Sequence, residues 1–202
     1  VPWLFQPGTS YSYSNAGYVV LGQLLQRVTG KSLSTLLEQR VFKPAGMTNS
    51  SFPTRPGVPV GMLLDAAKTP QRWYSLANFN PEVFSAAGAA ISTSRDMVNF
   101  AEALNSGVLV RKSTLAQMRR PRTASVGYGL GMYRIKDACR AGSYLYGHDG
   151  LSFGTLSLSF SSADGSRQFS LGISGRYYPV GHSNPVPYDV SAAALSLVAA
   201  TC

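Results

Sequence analysis

The chain has 202 residues, of which 45% are hydrophobic and 13% charged, a balance that supports a real core and excludes a disordered segment. No apolar run approaches the ~18 residues that a membrane-spanning helix needs, and Val1-Pro-Trp-Leu-Phe5 lacks the basic start and small-residue cleavage site of a signal peptide, so the sequence is expected to begin partway through a longer precursor. The net charge of +9 is not gathered into a nucleic-acid footprint: its densest group, Arg119, Arg120 and Arg122, falls at the end of a predicted helix, where cations suit the dipole, and no nucleic-acid partner is expected.

The first stretch with chemical content is Tyr13-Ser14-Asn15, placed directly before a helix. Pro7-Gly8 marks a turn, and Asn15 can cap the first N–H groups of the helix that follows. From Ala16, Tyr18, Val19, Leu21, Leu24, Leu25 and Val28 recur at helical spacing, with Gly30 as the stop. Ser32 or Ser34 opens a second helix with Leu33, Leu36, Leu37 and Val41 on one face, ended by Pro44. Residues 48–82 show no sustained period and read as a long loop, whose aromatics Trp73, Tyr74 and Phe79, with Phe84 just beyond, are either packing residues or a pocket lining. Thr93-x-x-Asp96 predicts a capping box for a helix carrying Met97, Phe100, Ala101 and Leu104 to Gly107. A shorter helix is expected around Thr114–Met118.

The grammar changes at Val126-Gly-Tyr-Gly-Leu-Gly131. Residues 132–135 and 144–146 read as strands, Leu156–Phe160 alternates strictly, and Asp164-Gly165 turns it into Gln168–Ile173. A helix over residues 188–200 is expected to cover this sheet. The expected fold is therefore α/β (α+β): a mainly helical region, residues 1–125, and an antiparallel sheet with its terminal helix, residues 126–202, as parts of one domain. Cys139 and Cys202 form no metal or C-x-x-C pattern. They are buried thiols or a pair; pairing is favoured, because a free thiol on an exposed terminus is a liability, and it implies an oxidising, secreted or periplasmic setting.

Four motifs in register, Tyr13-Ser-Asn15, Ser85-Ala-Ala-Gly-x-x-x-Ser-Thr-x-x-Asp96, Tyr128-Gly-Leu-Gly131 and Tyr146-Gly-His-Asp-Gly150, resemble the penicillin-recognising serine hydrolases: class C β-lactamases, esterases and secreted serine DD-carboxypeptidases. The resemblance covers essentially the whole chain. Tyr13 and Asn15 match the family's Tyr-x-Asn motif, and His148 and Gly150 match its Lys/His-x-Gly triplet. The third motif, Ser-x-x-Lys, is absent: the residues three before Lys31, Lys43, Lys68, Lys112 and Lys136 are Val28, Arg40, Asp65, Leu109 and Tyr133. The resemblance implies a C-terminal portion whose fold is incomplete without N-terminal strands and a nucleophile helix, supplied by an N-terminal segment or a second chain.

It also implies the chemistry. A serine hydroxyl needs a base during attack, and Tyr13 would act as base or relay, with Asn15 and His148 as its catalytic companions. The backbone N–H of Leu151 or Ser152 would be an oxyanion donor. The substrate-binding candidates are Gly150, Leu151, Asp149, Arg134 and Phe84. Arg134 stands beside Tyr133, the position aligned with the arginine that holds a peptide carboxylate in the carboxypeptidases. Asp149 and Leu151 replace hydroxyl residues of those enzymes, and a carboxylate at 149 repels an anionic substrate, which shifts weight towards ester or amide substrates. The reaction implied is acyl transfer through an acyl-enzyme on a small molecule or peptide, with no metal or cofactor. The competing reading is a non-catalytic family member or fragment that binds peptide or a partner chain. The resembling carboxypeptidases carry cysteines at places similar to Cys139 and Cys202, in keeping with a disulfide.

Overall fold

The computed structural model describes residues 3–53, 62–65, 72–76, 78–123, 127–178, 196–200 and 202, with residues 62–65 and 176–178 described as backbone. The first helix, α1, is Asn15–Thr29. Its cap is Ser14, whose Oγ accepts the Gly17 N–H at 3.1 Å, so Asn15 is the first helical residue and not the cap. Gly30 closes the helix at φ 66°, in the left-handed region that glycine occupies without a Cβ clash. Helix α2, Leu33–Leu37, starts under a Ser32 cap and is pinned to α1 where the Leu33 N–H donates to Gln26 Oε1, 3.2 Å away. The single helix expected up to Pro44 instead changes at Glu38–Phe42 into a π-helical turn. An i→i+5 repeat sets Leu37 and Phe42 on one face, and both pack into a core with Ala45, Met47 and Ala103.

The expected loop over residues 48–82 contains two short strands, β1 (Met62–Asp65) and β2 (Arg72–Ser75). They pair antiparallel, and β1 also pairs parallel with β7 (Gly175–Tyr178), giving a small three-stranded sheet that the sequence did not announce. Four-residue strands held by a sequence-distant partner leave no local period to read. A turn of 3-10 helix, Pro81–Ala87, broken at Ser85, then packs on α1. A β-carbon on Gly22 of α1 would sit 2.4 Å from the Ala86 side chain, so this close approach requires glycine. Helix α3, Ser94–Ser106, has the expected cap, with Thr93 Oγ1 accepting the Asp96 N–H at 3.1 Å. The buried Asp96 carboxylate also accepts from Asn49 N–H (2.8 Å) and Ser50 Oγ (2.7 Å), tying the preceding loop to this helix. Helix α4 is Lys112–Arg119.

The larger sheet has the order β3 (Tyr133–Lys136), β4 (Tyr144–Leu151), β5 (Leu156–Ser162), β6 (Gln168–Ile173), all antiparallel. One face buries Leu145 and Phe160 against Val198 of the terminal helical segment, with Tyr133, Ile135, Leu158 and Phe169 around them. Residues 188–195 of the expected terminal helix lie outside the described residues. Cys139 and Cys202 form the disulfide, with Cα atoms 5.1 Å apart, beside the buried ion pair of Asp137 and Arg167. The other face receives α3 and α4 through Leu104, Leu115, Met132 and Tyr146. Arg119, in the last turn of α4 as expected, is folded inward: it donates to the Asn105 side chain and to Ala163 O (2.9 Å) and lies 4.8 Å over the Tyr146 ring. Each Leu or Phe so buried contributes about 1.5–3 kcal/mol. No described helix is long and apolar enough to cross a membrane.

Two surfaces stay bare. Among the described residues β6 is paired on one side only. On α1, Val20, Leu21, Leu24, Leu25 and Val28 form an apolar stripe at helical spacing, each 48 to 68% exposed.

Candidate active site

The site forms where the start of α1, the Tyr128 segment and the end of β4 converge. Strand β3 pairs with β4 only as far as Tyr133 opposite Gly147, whereas β5 follows β4 to Leu151 opposite Leu156. Among the described residues, 148–151 therefore keep one edge free. The Ser152 N–H is used across the hairpin, donating to Thr155 O at 3.0 Å. Because successive strand N–H groups alternate between edges, the Leu151 N–H points to the free edge. Of the two backbone donors expected for an oxyanion, Leu151 is the one this register leaves available.

His148 uses both ring nitrogens. Nδ1 lies 2.5 Å from the Asp149 carbonyl oxygen and Nε2 lies 2.8 Å from the Tyr128 hydroxyl. Tyr13 stands next to this pair, its ring centroid 6.4 Å from both Tyr128, edge-on, and His148. It is 54% exposed and lines an open groove of about 270 Å³ with Tyr11, Ser12, Ser14, Tyr18 and Tyr128. Since Ser14 takes the capping role, the Asn15 amide is not consumed as a cap; Asn15 is exposed at the helix start.

Tyr128 and Tyr133 stack with centroids 6.1 Å apart. Tyr133 presents its edge to His148 at 5.3 Å and donates its hydroxyl to Asp149 Oδ1 at 2.9 Å. Burial first, then the neighbouring Asp149 charge, pushes the Tyr133 phenol above its ordinary range. Burial first, then the hydrogen bond with Tyr18, does the same for Tyr128. Both are neutral donors at physiological pH.

Arg134, carried as a substrate-binding candidate, is not brought to His148. Its guanidinium lies 4.1 Å over the Tyr144 ring, further back along the sheet, and Tyr133, one residue earlier, occupies the site. The register sets Arg134 opposite Tyr146, and its side chain turns back along the sheet to Tyr144. Asp149 is held by the Tyr133 hydroxyl, and Gly150 continues the free edge. Phe84 joins Phe79 (5.7 Å) and Phe153 (6.2 Å) in an aromatic cluster on the hairpin turn just beyond Leu151. Trp73, by contrast, packs near Gly175 in the small sheet. Ser85, next to Phe84, is the one non-glycine residue at positive φ (44°) among the described residues, a strained setting of the kind found beside functional sites. Tyr128 and Phe153 are not among the site residues read from the sequence, and Tyr133 enters there only as the position aligned with a carboxylate-binding arginine. For Tyr128 a signal existed, since it heads the Tyr-Gly-Leu-Gly motif. Among the described residues no group of three His, Cys, Asp or Glu side chains converges as a metal site.

A protein-family model, Beta-lactamase, matches residues 1–160. The chain is 29% identical over 134 residues to a penicillin-binding protein, PbpX, of Bacillus subtilis (strain 168), covering 63% of this chain and 32% of that protein. It is 46% identical over 48 residues to the D-aminopeptidase of Brucella anthropi, 24% of this chain and 9% of that one. Among solved structures it is similar to a D-stereospecific amidohydrolase from Streptomyces sp. (TM-score 0.72, 32% identity, 84% of this chain and 52% of that one). It is also similar to the D-amino acid amidase from Ochrobactrum anthropi SV3 complexed with L-phenylalanine amide (TM-score 0.69, 27% identity, 83% and 51%). The chain thus spans about half the length of these solved relatives and a third or less of the sequence relatives. A family model over most of the chain, a shared architecture and the Tyr13–His148 juxtaposition agree: the chain belongs to the Beta-lactamase family.

Proposed function

We propose that this chain carries the proton-relay and oxyanion side of a serine acyl hydrolase that cleaves amides of amino acids with a free amino group, of D configuration, through an acyl-enzyme. The observation that carries the reading is the placement of Tyr13, which lines the open groove, beside His148, on the strand that ends at the Leu151 N–H. The amide preference is supported by the D-aminopeptidase and D-amino acid amidase relatives and by Asp149, whose carboxylate beside His148 favours a cationic amine over an anionic terminus. No Ser-x-x-Lys occurs in residues 1–202, and on this reading the nucleophile comes from a segment outside them. The bare α1 stripe, whose Leu21 also lines the groove, and the open edge of β6 are the surfaces that such a segment would cover. The Cys139–Cys202 disulfide supports an oxidising, extracytoplasmic setting.

The test has two arms. The chain by itself should take no label from a fluorophosphonate or a fluorescent penicillin; a covalently labelled serine within residues 1–202 would refute the placement of the nucleophile. In a protein that joins this chain to the N-terminal half of a family relative, D-phenylalanine amide should be hydrolysed, and Tyr13→Phe should lower that rate by roughly 10²–10⁴-fold, as loss of a general base does.

A further inference from the structure

Tyr128 has no assigned part in the reaction, yet it is the residue that His148 meets. Its ring touches Tyr11 at 5.2 Å, Tyr13 at 6.4 Å, Tyr133 at 6.1 Å and His148 at 5.5 Å between centroids, and its hydroxyl lies 2.8 Å from His148 Nε2. The tautomer of the neutral imidazole follows from the groups at its two nitrogens; Asp149 Oδ1, 3.7 Å from Nδ1, also suits a hydrogen on that atom. The Asp149 carbonyl oxygen, 2.5 Å from Nδ1, has no proton to give, so Nδ1 carries the hydrogen. In the neutral ring Nε2 is then the acceptor, and the Tyr128 hydroxyl donates to it.

We infer that Tyr128 is the positioning residue of the site: with the Asp149 carbonyl it locks His148 as the neutral Nδ1–H tautomer and leaves the ring no free nitrogen towards the groove. The raised Tyr128 phenol agrees with a hydroxyl that keeps its proton. On this geometry His148 does not act on Tyr13 as an Nε2–H donor. Its part is carried through Tyr128, whose ring stands edge-on to Tyr13. The inference concerns this chain's own residues and stands or falls apart from the proposed substrate.

The experiment is nitrogen-15 NMR of the imidazole rings in the full 202-residue chain at pH 7.5, with His182→Gln used to assign the two histidines. The expected result is the Nδ1–H tautomer of His148 in about tenfold excess or more, since two hydrogen bonds of ordinary strength act in the same direction. In Tyr128→Phe, the Nε2 resonance should move towards that of a nitrogen without a hydrogen bond, and the Nε2–H form should gain population. A wild-type ring protonated at Nε2, alone or at both nitrogens, overturns the inference. So does an Nε2 resonance unchanged in a folded Tyr128→Phe protein. If Tyr128→Phe does not fold, the wild-type tautomer decides alone.

Discussion

Gly147 passes so close to Ser159 that a β-carbon on it would lie 1.9 Å from the Ser159 carbonyl oxygen and 2.8 Å from Phe160 Cα. The glycine before the motif histidine is therefore a packing requirement: it lets β4 and β5 approach and sets the frame in which His148 and the Leu151 N–H emerge. Gly147→Ala should cost about 3 kcal/mol or more, because backbone, not a side chain, must move. At Gly150 a β-carbon meets chiefly the Ser157 hydroxyl, at 2.4 Å, and that group can turn away. Gly150→Ala should cost less than about 1.5 kcal/mol. Urea unfolding of both variants checks the order, and equal costs would contradict this register.

The Cys139–Cys202 bridge closes a sequence separation of 63 residues and holds the segment whose Val198 seals the core over Leu145 and Phe160. Cys139→Ser with Cys202→Ser should lower stability by about 2–5 kcal/mol. The loss should be matched by faster hydrogen exchange in β4 and β5. A thermal midpoint equal to that of the wild type would show that Val198 is held without the bridge.

Asp137 gives the fold an acid limb. Burial opposes its charge, but the Cys139 N–H and the Arg167 guanidinium outweigh burial and hold its carboxyl below the ordinary 3.8. A depressed folded-state value means that this stabilisation is complete above about pH 4 and is lost as pH falls through the folded value. Urea midpoints should therefore hold between pH 7 and 5 and fall below pH 4. Asp137→Asn should flatten that limb and cost roughly 3–5 kcal/mol at pH 7. The cost follows from Arg167, whose Nη2 pairs with Asp137 while its buried Nε and Nη1 have no hydrogen-bond partner among the described residues. An acid limb that persists unchanged in Asp137→Asn would assign it to other carboxylates.

The α1 stripe makes a prediction about association. A double variant, Leu21→Ser with Leu24→Ser, should stay within about 1 kcal/mol of the parent in stability, because both side chains are about half exposed. It should bind less of a hydrophobic dye and sediment as a less associated species. A loss above about 2 kcal/mol would mean that the stripe is packed within the chain itself.

The sequence by itself determined the elements whose signals are local. Helix α1 was legible from its spacing and Gly30, α3 from Thr93 and Asp96, and the β5–β6 hairpin from strict alternation around Asp164-Gly165. The family motifs named Tyr13, Asn15 and His148, and the structure sets Tyr13 and His148 in contact. What only the tertiary structure decided are relations between distant segments. The small sheet of β1, β2 and β7 depends on a partner far along the chain. Helix α2 yields to a π turn because Leu37 and Phe42 must both reach one core. That Tyr133 and not Arg134 meets the His148 ring depends on the register of β3 against β4 and on the packing that draws the Arg134 guanidinium over Tyr144. Tyr128 lies 20 residues from His148, and its hydrogen bond to that ring exists only once the sheet and the Tyr128 segment are folded together, since a side-chain hydrogen bond between distant residues leaves no periodic trace in either stretch of sequence.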